Sequence, residues 1–265
     1  SDIDLRYVRG FDMFLQKRGC CGNTRKFYFK ALRAILNRAN AEGVGSAATY
    51  PFGRGGFEVS KLEEATAKRY LPAAELSKIK STTASNPQCE YARKLFLFSY
   101  YCYGISFIDM AMLTAAHIKQ MEDGDYIVYK RQKIKRQKGV KPISIKITPA
   151  IRQLIGSLQA GSPTVDDFLL PIVTRSGYTG ERLYMHIRTR YSKYQKYLRL
   201  LAEELGIDFH LTSYVSRHTA AMTLQRNHIP REVISQMLGH ADLETTNIYL
   251  DSFDNEVINE AAKVL

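Results

Sequence analysis

The apolar residues of this chain recur at helical spacing along almost its whole length and alternate in only one region. Between residues 126 and 147 the period changes to two, with Ile143, Ile145 and Ile147 separated by Ser144 and Lys146. This alternation predicts a β-hairpin whose turn holds residues 138–139. We therefore expect a mainly α structure with a small β-sheet, an α+β fold. Helical spacing predicts helices at residues 3–18, 24–41, 73–80, 88–103, 149–159, 184–205, 213–226, 231–238 and 243–250.

The strongest interruption of the helical pattern is residues 43–56, GVGSAATYPFGRGG, which are rich in glycine and other turn formers. A short helical stretch follows, and a new segment begins near residue 69. We expect a domain boundary near residue 68, with a helical domain at 1–66 and a larger domain at 68–265. In the first domain, Asn23 or Thr24 is the candidate N-cap of the second helix. Because the helical pattern starts directly after Ser1, we also expect a further segment before it.

The charge of the chain favours a polyanionic partner. Lys and Arg number 38 and Asp and Glu 26, which gives a formal net charge of +12. Nucleic acid is the first candidate and an acidic membrane surface the second, although a merely soluble basic protein has the same composition. The sequence has no apolar run long enough to cross a bilayer and no signal-peptide pattern, so we expect a cytoplasmic protein. The cysteines lack a zinc-binding spacing, and we expect reduced thiols and no metal.

Residues 130–141 hold seven basic side chains and no acidic one. One interpretation is a solvated turn. The other concerns Arg131 and Lys133, which would point to the same face if they lie on a strand, because they are two residues apart. A hairpin could then carry both into a DNA groove and onto a phosphate, where lysine acts as a point charge or a proton donor.

Three residues near the C-terminus are candidates for phosphate chemistry. Arg217 lies in a helix of small and apolar residues, where a guanidinium can grip a phosphate or form a structural salt bridge. His240 follows Leu238-Gly239, and an isolated histidine of this kind is more often structural than catalytic. Tyr249 is one of 17 tyrosines. Taken singly, none of the three decides a function.

In order and spacing, these residues resemble the C-terminal motifs of the tyrosine recombinase (phage integrase) family. Arg217 matches the second arginine box, His240 the element after Leu-Gly, and Tyr249 the nucleophile. Lys133 resembles the hairpin lysine that precedes them. The resemblance covers the whole chain and implies a helical core-binding domain followed by a tyrosine-recombinase catalytic domain.

The resemblance implies site-specific DNA strand breakage and rejoining without a cofactor. Tyr249 would attack the scissile phosphate and form a 3′-phosphotyrosine bond, while Arg217 and His240 stabilise the phosphorane. Lys133 would protonate the leaving 5′-oxygen. The implied partners are double-stranded DNA, a synaptic homotetramer and a DNA-bending accessory protein, in a bacterial cytoplasm. A type IB topoisomerase-like activity and an inert DNA-binding protein remain alternatives.

Two positions depart from the family pattern. Ser106 stands where the first arginine is expected, and with Asp109 it is predicted to cap a helix at 107–114. Tyr214 replaces a histidine three residues before Arg217. Both departures resemble a branch of recombinases from Bacteroidetes mobile elements. Since the missing arginine must be replaced by another charge, Arg131 is the candidate substitute.

Overall fold

The computed structural model describes residues 3–64, 70–240 and 246. The chain divides into two compact units, Ser1–Ala67 and Lys68–Leu265. The described parts are mostly helical and include one small sheet, which confirms the predicted fold class. None of the helices in the described ranges has a stretch long and hydrophobic enough to traverse a bilayer.

The first unit is a helical pair, α1 (Leu5–Lys17) and α2 (Gly22–Ala41), followed by short 3-10 turns at Ala47–Thr49 and Val59–Leu62. Both helices were predicted from apolar spacing. The predicted N-cap of α2 is wrong: the cap residue is Cys21, and the Asn23 side chain instead donates a hydrogen bond to the Glu64 carbonyl. Apolar side chains from both helices and from the segment after them form the core of this unit: Val8, Leu15, Phe29, Phe52 and Val59.

The second unit is built around α4 (Pro87–Tyr101), which contacts α6 (Pro149–Gly161), α7 (Gly180–Glu204) and α8 (Ser213–Arg226). The apolar run at residues 95–98 is buried as predicted, because α4 is covered by these three helices. Shorter helices complete the described part of the unit: α3 (Ala73–Ser81), α5 (Phe107–Ala111) and α9 (Arg231–Leu238). A 3-10 turn at Ala115–His117 precedes the sheet. The helix predicted at 243–250 falls almost entirely outside the described residues.

The sheet has three antiparallel strands in the order β1 (Ile118–Met121), β2 (Gly124–Tyr129) and β3 (Ile143–Lys146). The predicted hairpin is confirmed as β2–β3, with Ile127 paired to Ile145 and both side chains buried. Its connection is long. Residues 130–142, which we term the basic loop, lie between the two strands. The strand β1 was not predicted.

The start of α7 is tied to the preceding loop by His186. The Thr174 N–H donates to Nε2 of His186 at 3.2 Å, so this nitrogen carries no proton. Burial lowers the pKa of His186, and the nearby guanidinium groups of Arg190 and Arg175 lower it further. The neutral ring is therefore part of the folded structure.

We expect this histidine to make stability depend on pH. Its folded-state pKa lies below the unfolded-state value of about 6.5, so the unfolded chain binds more protons as the pH falls. The contribution of the neutral His186 ring to the free energy of unfolding is present above pH 6.5 and is lost on acidification. His186→Gln keeps an acceptor near the Nε2 position but does not titrate. Between about pH 7.5 and pH 5, the free energy of unfolding should fall more steeply in the unmodified protein than in this variant. Parallel pH profiles in denaturant unfolding would contradict the expectation.

Candidate active site

Arg217 is a buried arginine at the meeting point of two chain segments. It lies on α8, and the residue is 3% exposed. One Nη atom donates to the Gly104 carbonyl at 3.0 Å, and the other donates to the Leu238 carbonyl. The guanidinium is thus fixed between the turn before α5 and the end of α9.

The turn before α5 has a backbone shape that brings it against Arg217. Tyr103 and Gly104 both adopt positive φ, at 57° and 72°. A Cβ on Gly104 would lie 2.5 Å from Cβ and Cγ of Arg217, so only glycine permits this approach. The Ser99 hydroxyl donates to the Ile105 carbonyl at 2.8 Å and holds the turn to α4.

Ser106 follows this turn as the N-cap of α5. Its hydroxyl donates to the Asp109 carboxylate at 2.6 Å and accepts from the Asp109 N–H at 3.3 Å. The predicted cap is confirmed, although α5 ends at Ala111 and is shorter than predicted. The other Asp109 oxygen accepts from the Gln132 N–H at 2.7 Å. One buried carboxylate therefore joins the start of α5 to the basic loop.

Arg131 lines the same cavity as Arg217, but the prediction that it lies on a strand is wrong. The strand β2 ends at Tyr129, and Arg131 and Lys133 lie in the basic loop, which turns at residues 132–136. They therefore share no strand face. Arg131 is half-buried and donates from Nη1 to the Gly239 carbonyl at 3.0 Å, whereas Lys133 is exposed.

Arg131 and Arg217 thus bind successive carbonyls, those of Gly239 and Leu238. Gly239 has a φ of 63° and ends α9 in the left-handed conformation. A Cβ at this position would lie 3.1 Å from Cδ of Arg131 and would overlap the Ile143 side chain. Burial raises the pKa of Tyr129, and Asp109 raises it further, while Arg217 and Arg131 act in the opposite direction. The guanidinium groups of Arg131 and Arg217 therefore both lie near the buried, neutral phenol of Tyr129.

Two further predicted residues, His240 and Tyr214, lie in the described part of the second unit. His240 is half-buried directly after Gly239, and its Nδ1 is 2.7 Å from the Thr246 hydroxyl. Tyr214 is 49% exposed, and its ring meets that of His218 edge-on at 5.0 Å. Tyr249 lies outside the described residues, so its prediction as the nucleophile stays a prediction.

Four of the predicted residues line one cavity of about 370 Å³: Ser106, Arg131, Tyr214 and Arg217. Arg188 of α7 lines it as well. Arg188 was not predicted as a site residue; the available signal was its place between Tyr184 and Tyr191 on one helix face. His240 lines a neighbouring cleft of about 730 Å³ with residues 137–142 of the basic loop and Ile143 of β3. Lys133 is not among the described residues that line either space.

No group of three or more His, Cys, Asp or Glu side chains within the described ranges is arranged to hold a metal ion. Two cations of the site, Arg131 and Arg217, are held by main-chain carbonyls. Such groups are preorganised to receive an anion such as a phosphate, because their positions are set before it binds.

The chain forms two compact units, and the second of them holds this arginine site. Residues 69–256 match the model of the phage integrase family, and residues 1–59 match that of the phage integrase SAM-like domain. The chain belongs to the phage integrase family, as the C-terminal motifs predicted. Tyrosine recombinase XerD of Halalkalibacterium halodurans is 43% identical over 54 residues, which are 20% of this chain and 18% of that protein. The chain thus matches less than a fifth of the length of this curated relative.

Solved structures resemble the whole chain in fold. The integrase of transposon Tn1549 (residues 82–397), in complex with a circular intermediate DNA, superposes with a TM-score of 0.67 at 12% identity. That match covers 99% of this chain and 86% of the other. XerH site-specific recombinase, bound to a palindromic difH substrate, gives a TM-score of 0.67 at 18% identity and covers 99% and 72%. At these identities the likeness shows the fold, and the resemblance to the Bacteroidetes branch stays a prediction.

Proposed function

We propose that this protein is a site-specific DNA recombinase that cleaves and rejoins DNA through a 3′-phosphotyrosine intermediate. One observation carries the proposal: Arg131 and Arg217 bind the adjacent carbonyls of Gly239 and Leu238, directly before His240. Two fixed guanidinium groups beside a histidine can receive the negative charge of a pentacoordinate phosphorane. Membership of the phage integrase family supports the same reaction.

In this proposal each residue has one role in phosphoryl transfer. The Tyr249 hydroxyl loses its proton to solvent, its oxygen bonds to phosphorus, and the bond from phosphorus to the 5′-oxygen breaks. Lys133 gives its proton to that oxygen as general acid. Arg217, His240 and Arg131 stabilise the transition state, with Arg131 supplying the charge that Ser106 lacks. The phosphotyrosine bond conserves the energy of the broken phosphodiester, so the proposed chemistry requires no cofactor.

The proposed role of Tyr214 follows from its exposure and its position in the cavity that Ser106, Arg131 and Arg217 also line. Its phenol donates a hydrogen bond to a non-bridging phosphate oxygen, where the family pattern has histidine. A phenol O–H can donate a hydrogen bond, whereas the neutral phenol oxygen accepts a proton far less readily than an imidazole nitrogen. A donor role therefore suits it better than that of a proton acceptor.

The proposed partner is duplex DNA, which the two units bind together. The helical unit at 1–66 serves as the core-binding domain and 68–265 as the catalytic domain. The net charge of +12 and the basic loop favour contacts to phosphates, so binding should weaken steeply with salt. The Tn1549 likeness favours a mobile element as the source of the DNA. A homotetramer forms on the paired sites, with a DNA-bending protein as a further partner.

The test is covalent trapping on nicked duplexes taken from DNA flanking the gene. The protein is incubated with end-labelled duplex in EDTA and run on a denaturing gel beside Tyr249→Phe. We expect a shifted band that protease removes and that the phenylalanine variant does not give. Salt-sensitive binding to these duplexes without any such band would favour an inert DNA-binding protein. Strand exchange between two labelled duplexes then separates a recombinase from a topoisomerase, which rejoins the same strand.

A further inference from the structure

The cavity beside Arg131 and Arg217 is more apolar than a site for phosphate alone requires. Buried Ile105, Phe107 and Ile187 line it. Tyr184 and Tyr191 line it as well, and these residues are 59% and 37% exposed. Its volume of about 370 Å³ lies in the range of small-ligand pockets, which combine apolar walls with a few polar groups.

This space exists beside the arginines because residue 106 is small. The Ser106 side chain turns toward Asp109 and caps α5, so it leaves the cavity open. Tyr191 is held in place, with its hydroxyl 3.1 Å from that of Ser213 and its ring 5.4 Å from that of Phe107. The Tyr191 ring of the cavity wall is therefore preformed.

The two kinds of lining predict the chemistry of the occupant. Arg131, Arg188 and Arg217 favour a phosphate, while the apolar residues and the tyrosine rings favour a flat, weakly polar group. A nucleotide has both parts, since its base is joined to the phosphate through the sugar. Exposed tyrosine rings stack on bases of any sequence, because every base has a π face.

We propose that this cavity receives the base of a nucleotide adjoining the phosphate that Arg131 and Arg217 bind, a proposal that rests on the recombinase function above. The base leaves the helical stack and lies against Tyr184 and Tyr191. The penalty for unstacking is offset by the new ring contacts and by burial of the base. Bases that unstack at a lower cost are then preferred at this position, so the cavity contributes to the choice of cleavage site.

Tyr184 gives a clean test because its side chain is exposed and can be replaced without opening the core. Tyr184→Ala removes the ring, and Tyr184→Phe keeps it. Met185→Ala is the matched control, since Met185 is exposed on the next position of α7 and does not line the cavity. The DNA is the flanking duplex that is bound most tightly, with a single abasic site placed at each nucleotide around the nick in turn. Affinity is measured in the non-cleaving Tyr249→Phe background.

On unmodified duplex we expect Tyr184→Ala to weaken binding about 5- to 100-fold and Tyr184→Phe and Met185→Ala to bind normally. When the abasic site replaces the base that enters the cavity, the protein with Tyr184 and the Tyr184→Ala variant should bind the DNA with equal affinity. If Tyr184→Ala lowers the DNA affinity equally at every abasic position, Tyr184 contacts the DNA backbone and the proposal is overturned. The proposal is also overturned if Tyr184→Ala does not lower the affinity at all. This test measures DNA affinity, whereas the recombinase function is tested by covalent trapping. A failure of the base pocket and a failure of the proposed function are therefore distinguishable.

Discussion

Replacing Arg131 by alanine is expected to slow DNA cleavage by about 10²–10³-fold while leaving DNA affinity nearly unchanged. Loss of one preorganised donor to a developing negative charge typically has an effect of this size. Arg131 is held beside Arg217 by the Gly239 carbonyl, in the region where Ser106 offers no charge. The measurement is the single-turnover rate of covalent adduct formation, with affinity measured in parallel.

Alanine at position 131 also removes the hydrogen bond to Gly239, so a second variant is needed. Arg131→Gln can still donate an N–H to that carbonyl but carries no charge. It should unfold like the unmodified protein and cleave as slowly as the alanine variant. Arg136→Ala is the matched control, because it removes an exposed guanidinium from the same loop. Near-normal cleavage by Arg131→Gln would show that Arg131 is structural.

The serine at position 106 allows a complementary test. In the Arg131→Ala background, Ser106→Arg is expected to restore part of the cleavage rate, since a guanidinium from position 106 enters the cavity that both residues line. The restoration should be incomplete for two reasons. The N-cap of α5 is lost, at about 1 kcal/mol, and the longer side chain occupies the space proposed for a base. No restoration at all would mean that charge in this cavity does not limit cleavage.

The helices of the second unit could be predicted because burial on one side leaves a periodic trace in the sequence. The bounds of α8 and α9 match the prediction, and those of α4 differ by one or two residues at each end. The sequence of strand β1 has no such periodic pattern of apolar residues. It has four residues, three of them exposed, and its place is set by pairing with β2 rather than by its own pattern.

The site residues were selected from motif order, but their arrangement depends on contacts distant in sequence. The hydrogen bond from Arg217 to the Gly104 carbonyl joins residues that are 113 apart in sequence, and no local sequence pattern predicts it. Arg131 was chosen on the expectation of a strand. The chain instead leaves the sheet after Tyr129, where the Asp109 carboxylate binds the Gln132 N–H and fixes the loop. Arg131 therefore lies near Arg217 because this loop is fixed, and not because it shares a strand face with Lys133.

The close approach of Gly104 to Arg217 leads to the second large expected effect. Gly104→Ala should destabilise the protein by about 1–3 kcal/mol through overpacking, in addition to about 1–2 kcal/mol for alanine at positive φ. The new methyl group would overlap the Cα, Cβ and Cγ atoms of Arg217, so α8 or the turn must move. Either movement separates the guanidinium from the carbonyls that hold it. We therefore expect loss of cleavage together with the loss of stability.

Gly206→Ala separates these two contributions. Gly206 has a φ of 61° after the end of α7, and a Cβ there would meet no atom within 4 Å. This variant carries the conformational penalty without the overlap, and it should cleave DNA at the normal rate. The comparison uses the free energy of unfolding in urea and the rate of adduct formation under conditions where both variants are folded. Equal destabilisation of the two variants, with normal cleavage by Gly104→Ala, would mean that the turn before α5 does not position Arg217.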